Sequence, residues 1–476
     1  MRKRKKDIKE RQLQINLVGE CSEDGCEVSE AAVHRLKHGA VSPAWVSACE
    51  RERTLTLGIM EQIASLPNLQ KAYRMVMRNG GSGGVDGMDM KGLRKWGRSN
   101  MMWLQEQLLS GTYQPQPVRC VSIPKPQGGE RLLGIPTLID RMVQQAIHQI
   151  ISPRYERVFS EASYGFRPRR SAHDTLLKAG EYVKSGRNWV VDLDLEKFFD
   201  RVNHHRLMWL LSTRIGDGLL LQLIHKMLKC GMLEGGLLHQ RMEGTPQGGP
   251  LSPLLSNIVL DELDKELERR GYHYVRYADD VKIFATSEWQ AGRIMERIAE
   301  WIEEKLKLKV NRSKSRVCRS YELTFLGHRI LLDGTLGLGE GSEERLKAKL
   351  KKMTSRRRGV SIAQMVKELR EVTRGWLIYY RGARMQKKLE KIGGWLRRRL
   401  RCFRLKQCKR PIGIVRFLCK EGIEKTLAWK LALSGKGWWR LSNSPASNMA
   451  MNKEWFARLG FQSLTDYYEQ VKRFKL

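Results

Sequence analysis

The chain has 476 residues, 41% of them apolar, and a formal net charge of +36. That length allows two to four domains with real cores, and so large a positive charge draws the chain to polyanions, nucleic acid first among them. No run of eighteen apolar residues occurs, which argues against a membrane helix. The basic start MRKRKKDIKERQLQ has no apolar stretch behind it, which argues against a secretory signal. Nine scattered cysteines with no CxxC pair argue against a disulfide framework and for a reduced, cytoplasmic setting.

In chain order, residues 1–60 read as an N-terminal extension with one helix. Cys21, Cys26, His34 and His38 have pairwise zinc spacing. The gap between the pairs is short for a finger, and both histidines fall on the helix, so a solvated extension is the preferred reading. NGGSGGVDG (79–87) is a glycine-rich loop that lacks the regular spacing of a phosphate loop. From about 112 to 335 short β-rich runs alternate with helical ones, as in an α+β domain. NWVVDLDL (188–195) is a predicted strand ending in acids. HRLMWLLSTRI and LLLQLIHKML are predicted helices. YHYVRYA and VKIFA are two strands joined at Asp279–Asp280.

After 343 the character changes. Ile362, Met365, Leu369, Val372 and Trp376 recur at helical steps. Residues 344–420 hold 26 Lys or Arg against 4 acids, so about a sixth of the chain carries more than half of its net charge. Trp376, Tyr379, Tyr380, Trp395 and Phe403 interleave with those cations, a pattern that favours nucleic-acid binding over a merely solvated face.

Strand-borne acids in so basic a chain suggest divalent metal, because Mg²⁺ takes one or two carboxylates while substrate phosphates supply other oxygens. Two such ions about 4 Å apart can activate a hydroxyl and stabilise leaving pyrophosphate. Asp279 and Asp280 lie at one hairpin tip, and Asp194 ends a strand able to pair beside it. A Tyr-x-Asp-Asp string alone is weak. Its companions are DLDLEKFFD (192–200), EGTPQGGPLSPLLSNIVLDELD (243–264), LKVNRSKS (308–315) and LTFLGHRI (323–330), in that order.

With these motifs, and with YQPQPVRCVSIPKPQGGERLLGIPTLIDRMVQQAI and SYGFRPRRSAHDTL upstream, the chain resembles the reverse transcriptases encoded by bacterial group II introns, in their compact form. The resemblance runs from about 57 to the end. It implies a right-hand α+β fold, with fingers and a split βαβ palm over 61–335, and a helical thumb, domain X, over 336–435. A short DNA-binding-like segment follows over 436–476.

The resemblance implies that Asp194, Asp279 and Asp280 hold two Mg²⁺ ions, with Mn²⁺ as a substitute; Asp192 is a structural neighbour. Lys125 and Arg131 match the grip on the incoming triphosphate, and Gln247 matches the residue against nucleotide and template. Phe199 matches the ring beneath the sugar, and Lys314 a palm lysine. Arg167 and Arg170 are expected on the template backbone. Phe325, Leu326 and Gly327 match the primer grip, and NGGSGGVDG the loop that lids the template. Implied partners are the intron RNA, an RNA template with a DNA primer, target DNA and dNTPs, in a bacterial, nucleoid-associated setting. No histidine follows His328, so no His-Asn-His nuclease is expected in this chain. Alternatives are a non-enzymatic RNA-binding splicing factor and a relative serving defence or a CRISPR system. The sequence carries no signal for oligomeric state.

Overall fold

The computed structural model describes residues 58–124 and 130–473. The N-terminal extension with its four candidate zinc ligands, and Lys125, lie outside the described residues. Contacts divide the chain into two units. Of the described residues, one comprises those up to Arg170 with Asp192–Lys282 and Arg293–Arg316, and the other Ser171–Val191 with Ile283–Gly292 and those from Val317 on.

In the first unit, Val118–Pro124 (β1) and Glu130–Ile135 (β2) pair antiparallel, with Arg119 opposite Ile135. Met232–Glu234 (β4) runs parallel to β1, and Leu237–His239 (β5) completes the order β2-β1-β4-β5. The helix Leu138–Tyr155 packs beside Leu66–Asn79 and starts where the Thr137 hydroxyl accepts the Asp140 N–H at 3.1 Å, satisfying an otherwise orphaned donor. A second sheet has the order β6-β7-β3-β8, from His273–Tyr277 (β6), Asp280–Ala285 (β7), Trp189–Leu193 (β3) and Arg316–Arg319 (β8). Val190, Val191 and Leu193 are fully or almost fully buried, which anchors β3 in the core.

In the second unit, His328–Ile330 (β9), Leu336–Leu338 (β10) and Ala383–Arg384 (β11) form a small sheet in the order β11-β10-β9. The helices Ser342–Met353, Ile362–Tyr379 and Gln386–Gln407 follow. The helical periodicity over 362–376 is realised, but the buried stripe is rotated to Met365, Leu369, Thr373 and Leu377. Within residues 436–476, Leu441, Trp455, Phe456, Phe461 and Tyr468 join the same hydrophobic core as Leu369 and Leu396, and the Tyr468 hydroxyl donates to the Ala383 carbonyl at 2.7 Å. Apolar side chains of that size bury best against an existing core.

Candidate active site

The turn between β6 and β7 is strained: Ala278 has φ +60°, a conformation that residues with a Cβ rarely adopt. What holds it is a buried network beneath. Arg276 is 0% exposed and pairs with the equally buried Asp264. Its Nη1 donates to Asn257 Oδ1 and to the Ala278 carbonyl, each at 2.9 Å. Asn257 Nδ2 in turn donates to the Gly165 carbonyl at 3.0 Å. Gly165 lies so close that a Cβ there would meet Ala278 N at 2.1 Å. The SYGF stretch is thus a floor for the acidic turn, and only glycine fits. Arg276, Asp264, Asn257 and Gly165 were not singled out from sequence; an arginine directly before YADD inside a strand was the available signal.

Asp192 and Asp194 share one face by the two-residue strand period, as do Asp280 and Lys282. Lys282, its side chain 4% exposed, donates to both Asp192 and Asp280, and Arg316 lies 3.8 Å from Asp192. Burial works against the lysine's charge, but the two carboxylates outweigh it and raise its pKa. The structural role expected of Asp192 fits this network. Lys282 was missed because it sits in an otherwise apolar strand run.

Asp194 is fixed through its backbone. Its N–H donates to Ser315 Oγ at 3.0 Å, and its carbonyl accepts from the Asn311 N–H at 2.8 Å. Lys314 is exposed on the turn that precedes Ser315. Among the described residues no three His, Cys, Asp or Glu side chains form a ready-made metal cage. The donors on this face are nonetheless carboxylate oxygens, the type that Mg²⁺ and Mn²⁺ take.

Arg131 and Gln247 are brought together, Nε donating to Oε1 at 2.6 Å, and the Gly134 N–H donates to the Gln247 carbonyl at 2.9 Å. Gly248 has φ +140°, and a Cβ on it would meet the Gly134 carbonyl at 2.6 Å, so backbone approach sets that glycine. Phe199 is 8% exposed, its ring edge-on to Phe198 with centroids 5.2 Å apart. Its carbonyl accepts from the Thr245 N–H at 2.7 Å, which ties the ring's backbone to the same GTPQGG loop.

Arg167 and Arg170, expected on the template backbone, both have partners within the chain. Arg167 is 6% exposed; its Nε pairs with Glu156 at 3.0 Å and its Nη1 donates to the Ser163 carbonyl at 2.9 Å. Arg170 pairs with Glu161 and donates to that residue's carbonyl at 2.6 Å. Both guanidiniums are engaged by the preceding segment, whose acids were overlooked. The exposed members of FRPRR are Phe166, 52% exposed, Pro168 and Arg169.

In the second unit the Phe325–Leu326–Gly327 turn is fastened from below. The Leu326 carbonyl accepts from the Tyr379 hydroxyl at 2.8 Å and lies 3.0 Å from His328 Nδ1. Gly327, with φ +77°, would set a Cβ 2.6 Å from the Tyr380 hydroxyl. His328 is 0% exposed against Tyr380, and burial lowers its pKa to about 4.

Residues 123–330 match the family described as reverse transcriptase (RNA-dependent DNA polymerase), and residues 343–416 the group II intron, maturase-specific domain. Protein YkfC of Escherichia coli (strain K12) is 35% identical, over 55% of this chain and 80% of YkfC. Group II intron-encoded protein LtrA of Lactococcus lactis subsp. cremoris is 47% identical over 34% of this chain, a stretch spanning only 27% of LtrA. Among solved structures, telomerase from Candida tropicalis with a fragment of telomeric RNA aligns at 13% identity and a TM-score of 0.40, covering 81% of this chain and 68% of that one.

Proposed function

Since the chain belongs to the group II intron-encoded reverse transcriptases, with reverse transcriptase and maturase segments in one polypeptide, we propose that it copies intron RNA into DNA and assists splicing of that RNA. The observation that supports this best is the YADD turn, whose Ala278 carbonyl is braced by the buried Arg276 and whose Asp280 shares the Lys282 ammonium with Asp192, in a chain otherwise so basic. Asp194, Asp279 and Asp280 would hold Mg²⁺ or Mn²⁺, which when bound neutralise phosphate charge and lower the pKa of the primer hydroxyl.

The protein's own part is positioning. Arg131 and Gln247 would orient the incoming dNTP, Arg131 by charge-assisted bonds to phosphate oxygens, with Lys125 as its expected companion. Phe199 would lie beneath the sugar and exclude a 2′-hydroxyl. Lys314, exposed beside the Asp194 clamp, would face leaving pyrophosphate. The Phe325–Leu326–Gly327 turn would hold the DNA primer, and Phe166 with Arg169 would meet the template. The cations of the helices 342–407 would clamp intron RNA, and target DNA would receive the product. Among the described residues no helix is long and apolar enough to cross a membrane, and charge of this sign would keep the chain on nucleic acid in a bacterial nucleoid.

The test separates the two activities. Asp279→Ala should abolish extension of a DNA primer on an RNA template and leave intron binding and splicing largely intact. Equal loss of both in a folded, RNA-binding variant would sink the reading.

A further inference from the structure

The helices Ser342–Met353 and Gln386–Gln407 contribute to a cavity of about 530 Å³ lined by Lys347, Lys351, Arg356, Lys391 and Arg399, with no acid among its lining residues. Lys347 is paired with Glu343 at 2.7 Å; among the described residues no carboxylate neutralises the other four. Arg399 is held in place, its Nη2 donating to the Lys351 carbonyl at 2.9 Å, and its guanidinium lies 5.3 Å from the Trp395 ring centroid. Trp439, 40% exposed, also lines the cavity, with the Arg398 guanidinium 4.1 Å from its ring centroid. A solvated basic face has no use for two indoles in a concavity of this size, which lies within the roughly 300–1,000 Å³ of small-ligand sites.

Double-stranded RNA offers such a site phosphates but no base face, whereas an unpaired nucleotide offers both. We propose that this cavity receives one unpaired nucleotide of the RNA, its base stacked on Trp439 and its flanking phosphates on Lys351, Arg356 and Lys391. The proposal rests on the reading that these helices bind intron RNA, and adds that they select a bulged or looped nucleotide.

The test uses the full chain and two labelled RNA hairpins, identical except for one bulged adenosine, with affinities read by fluorescence anisotropy over a salt series. The bulged hairpin should bind about tenfold tighter, a span that stacking of one base supplies. Trp439→Ala should reduce it to the level of the paired hairpin with the salt slope unchanged, and Trp439→Phe should retain the preference. Lys351→Ala should weaken both hairpins and flatten the slope by about one unit or a little less. Equal binding of the two hairpins by the unaltered protein, or a preference that survives Trp439→Ala, overturns the inference while RNA binding itself stands. Failure to bind either hairpin overturns the underlying reading instead. Displacement of the bulged hairpin by AMP at matching affinity would assign the cavity to free nucleotides and refute the proposal.

Discussion

Lys282→Met removes the ammonium shared by Asp192 and Asp280 while keeping an unbranched apolar stem of similar length. Two effects of opposite sign follow. In the absence of metal the two carboxylates lose their partner, and breaking a buried pair costs about 3–5 kcal/mol when both members are enclosed. Here the Asp280 side chain is 40% exposed and Arg316 lies 3.8 Å from Asp192, so part of the charge is met by solvent and by a second cation. About 2 kcal/mol should remain, which lowers the melting temperature by roughly 4–8 °C for a unit of 150–250 residues. With Mn²⁺ present the sign reverses, because an ammonium on Asp280 repels a divalent ion on the same carboxylate. Its loss should tighten the metal midpoint about tenfold, equivalent to about 1.4 kcal/mol. Thermal melts of both proteins across an MnCl₂ series, without nucleotide, read both effects. A metal-free melting temperature and a Mn²⁺ midpoint that both match the unaltered protein would refute the view that Lys282 competes for the site.

Three further outcomes are expected. Gly165→Ala drives a methyl group into the backbone under Ala278, so primer extension should fall by at least about a hundredfold, near 2.7 kcal/mol, and a variant with normal extension would show that the SYGF floor does not set the acidic turn. Phe199→Val should leave dNTP incorporation measurable and raise rNTP incorporation by roughly ten- to a hundredfold; an unchanged ratio of the two kcat/KM values, on a variant melting near the unaltered protein, would rule out the steric wall. Folded His328 resists protonation down to pH about 4 while the unfolded residue accepts a proton near 6.5, so stability should fall as pH drops through that window, by up to about 3 kcal/mol. His148, His204 and His225 shift in the same direction, so His328→Phe should remove a large share of that pH dependence, and denaturant melts at pH 7 and 5 that show no difference between the two proteins would contradict it.

The strands β3, β6 and β7 and the acids they carry were legible because alternation of apolar residues and interrupting carboxylates are both local signals. Arg131 and Gln247, 116 positions apart, could be joined only through the family resemblance, yet their side chains meet. What stayed illegible was the identity of the partner each charge takes. Arg167 reads as a free cation because Glu156 lies eleven residues away on the other side of a turn. Arg276 reads as one more basic residue because Asp264 is presented by a helix that a sequence pattern places but does not orient. The rotation of the buried stripe over 362–379 has the same origin: periodicity specifies a face, and packing neighbours choose its centre.

That distinction also accounts for two adjacent acids in a chain of net charge +36. A carboxylate site surrounded by uncommitted arginines would be neutralised by its own protein before any metal reached it. Arg276, directly beneath the YADD turn, is committed to Asp264, and Arg167, two residues beyond the Gly165 floor, to Glu156; Arg316 lies 3.8 Å from Asp192. The cation that does reach Asp280 is Lys282, a single ammonium, which a divalent ion can outcompete more readily than a bidentate guanidinium. Over 342–407 several cations stand otherwise: among the described residues no carboxylate pairs with Lys351, Arg356 or Lys391, and the exposed indole of Trp439 lines the same cavity. Charge of one sign is thus spent internally where chemistry needs acids and left outward where RNA must be held.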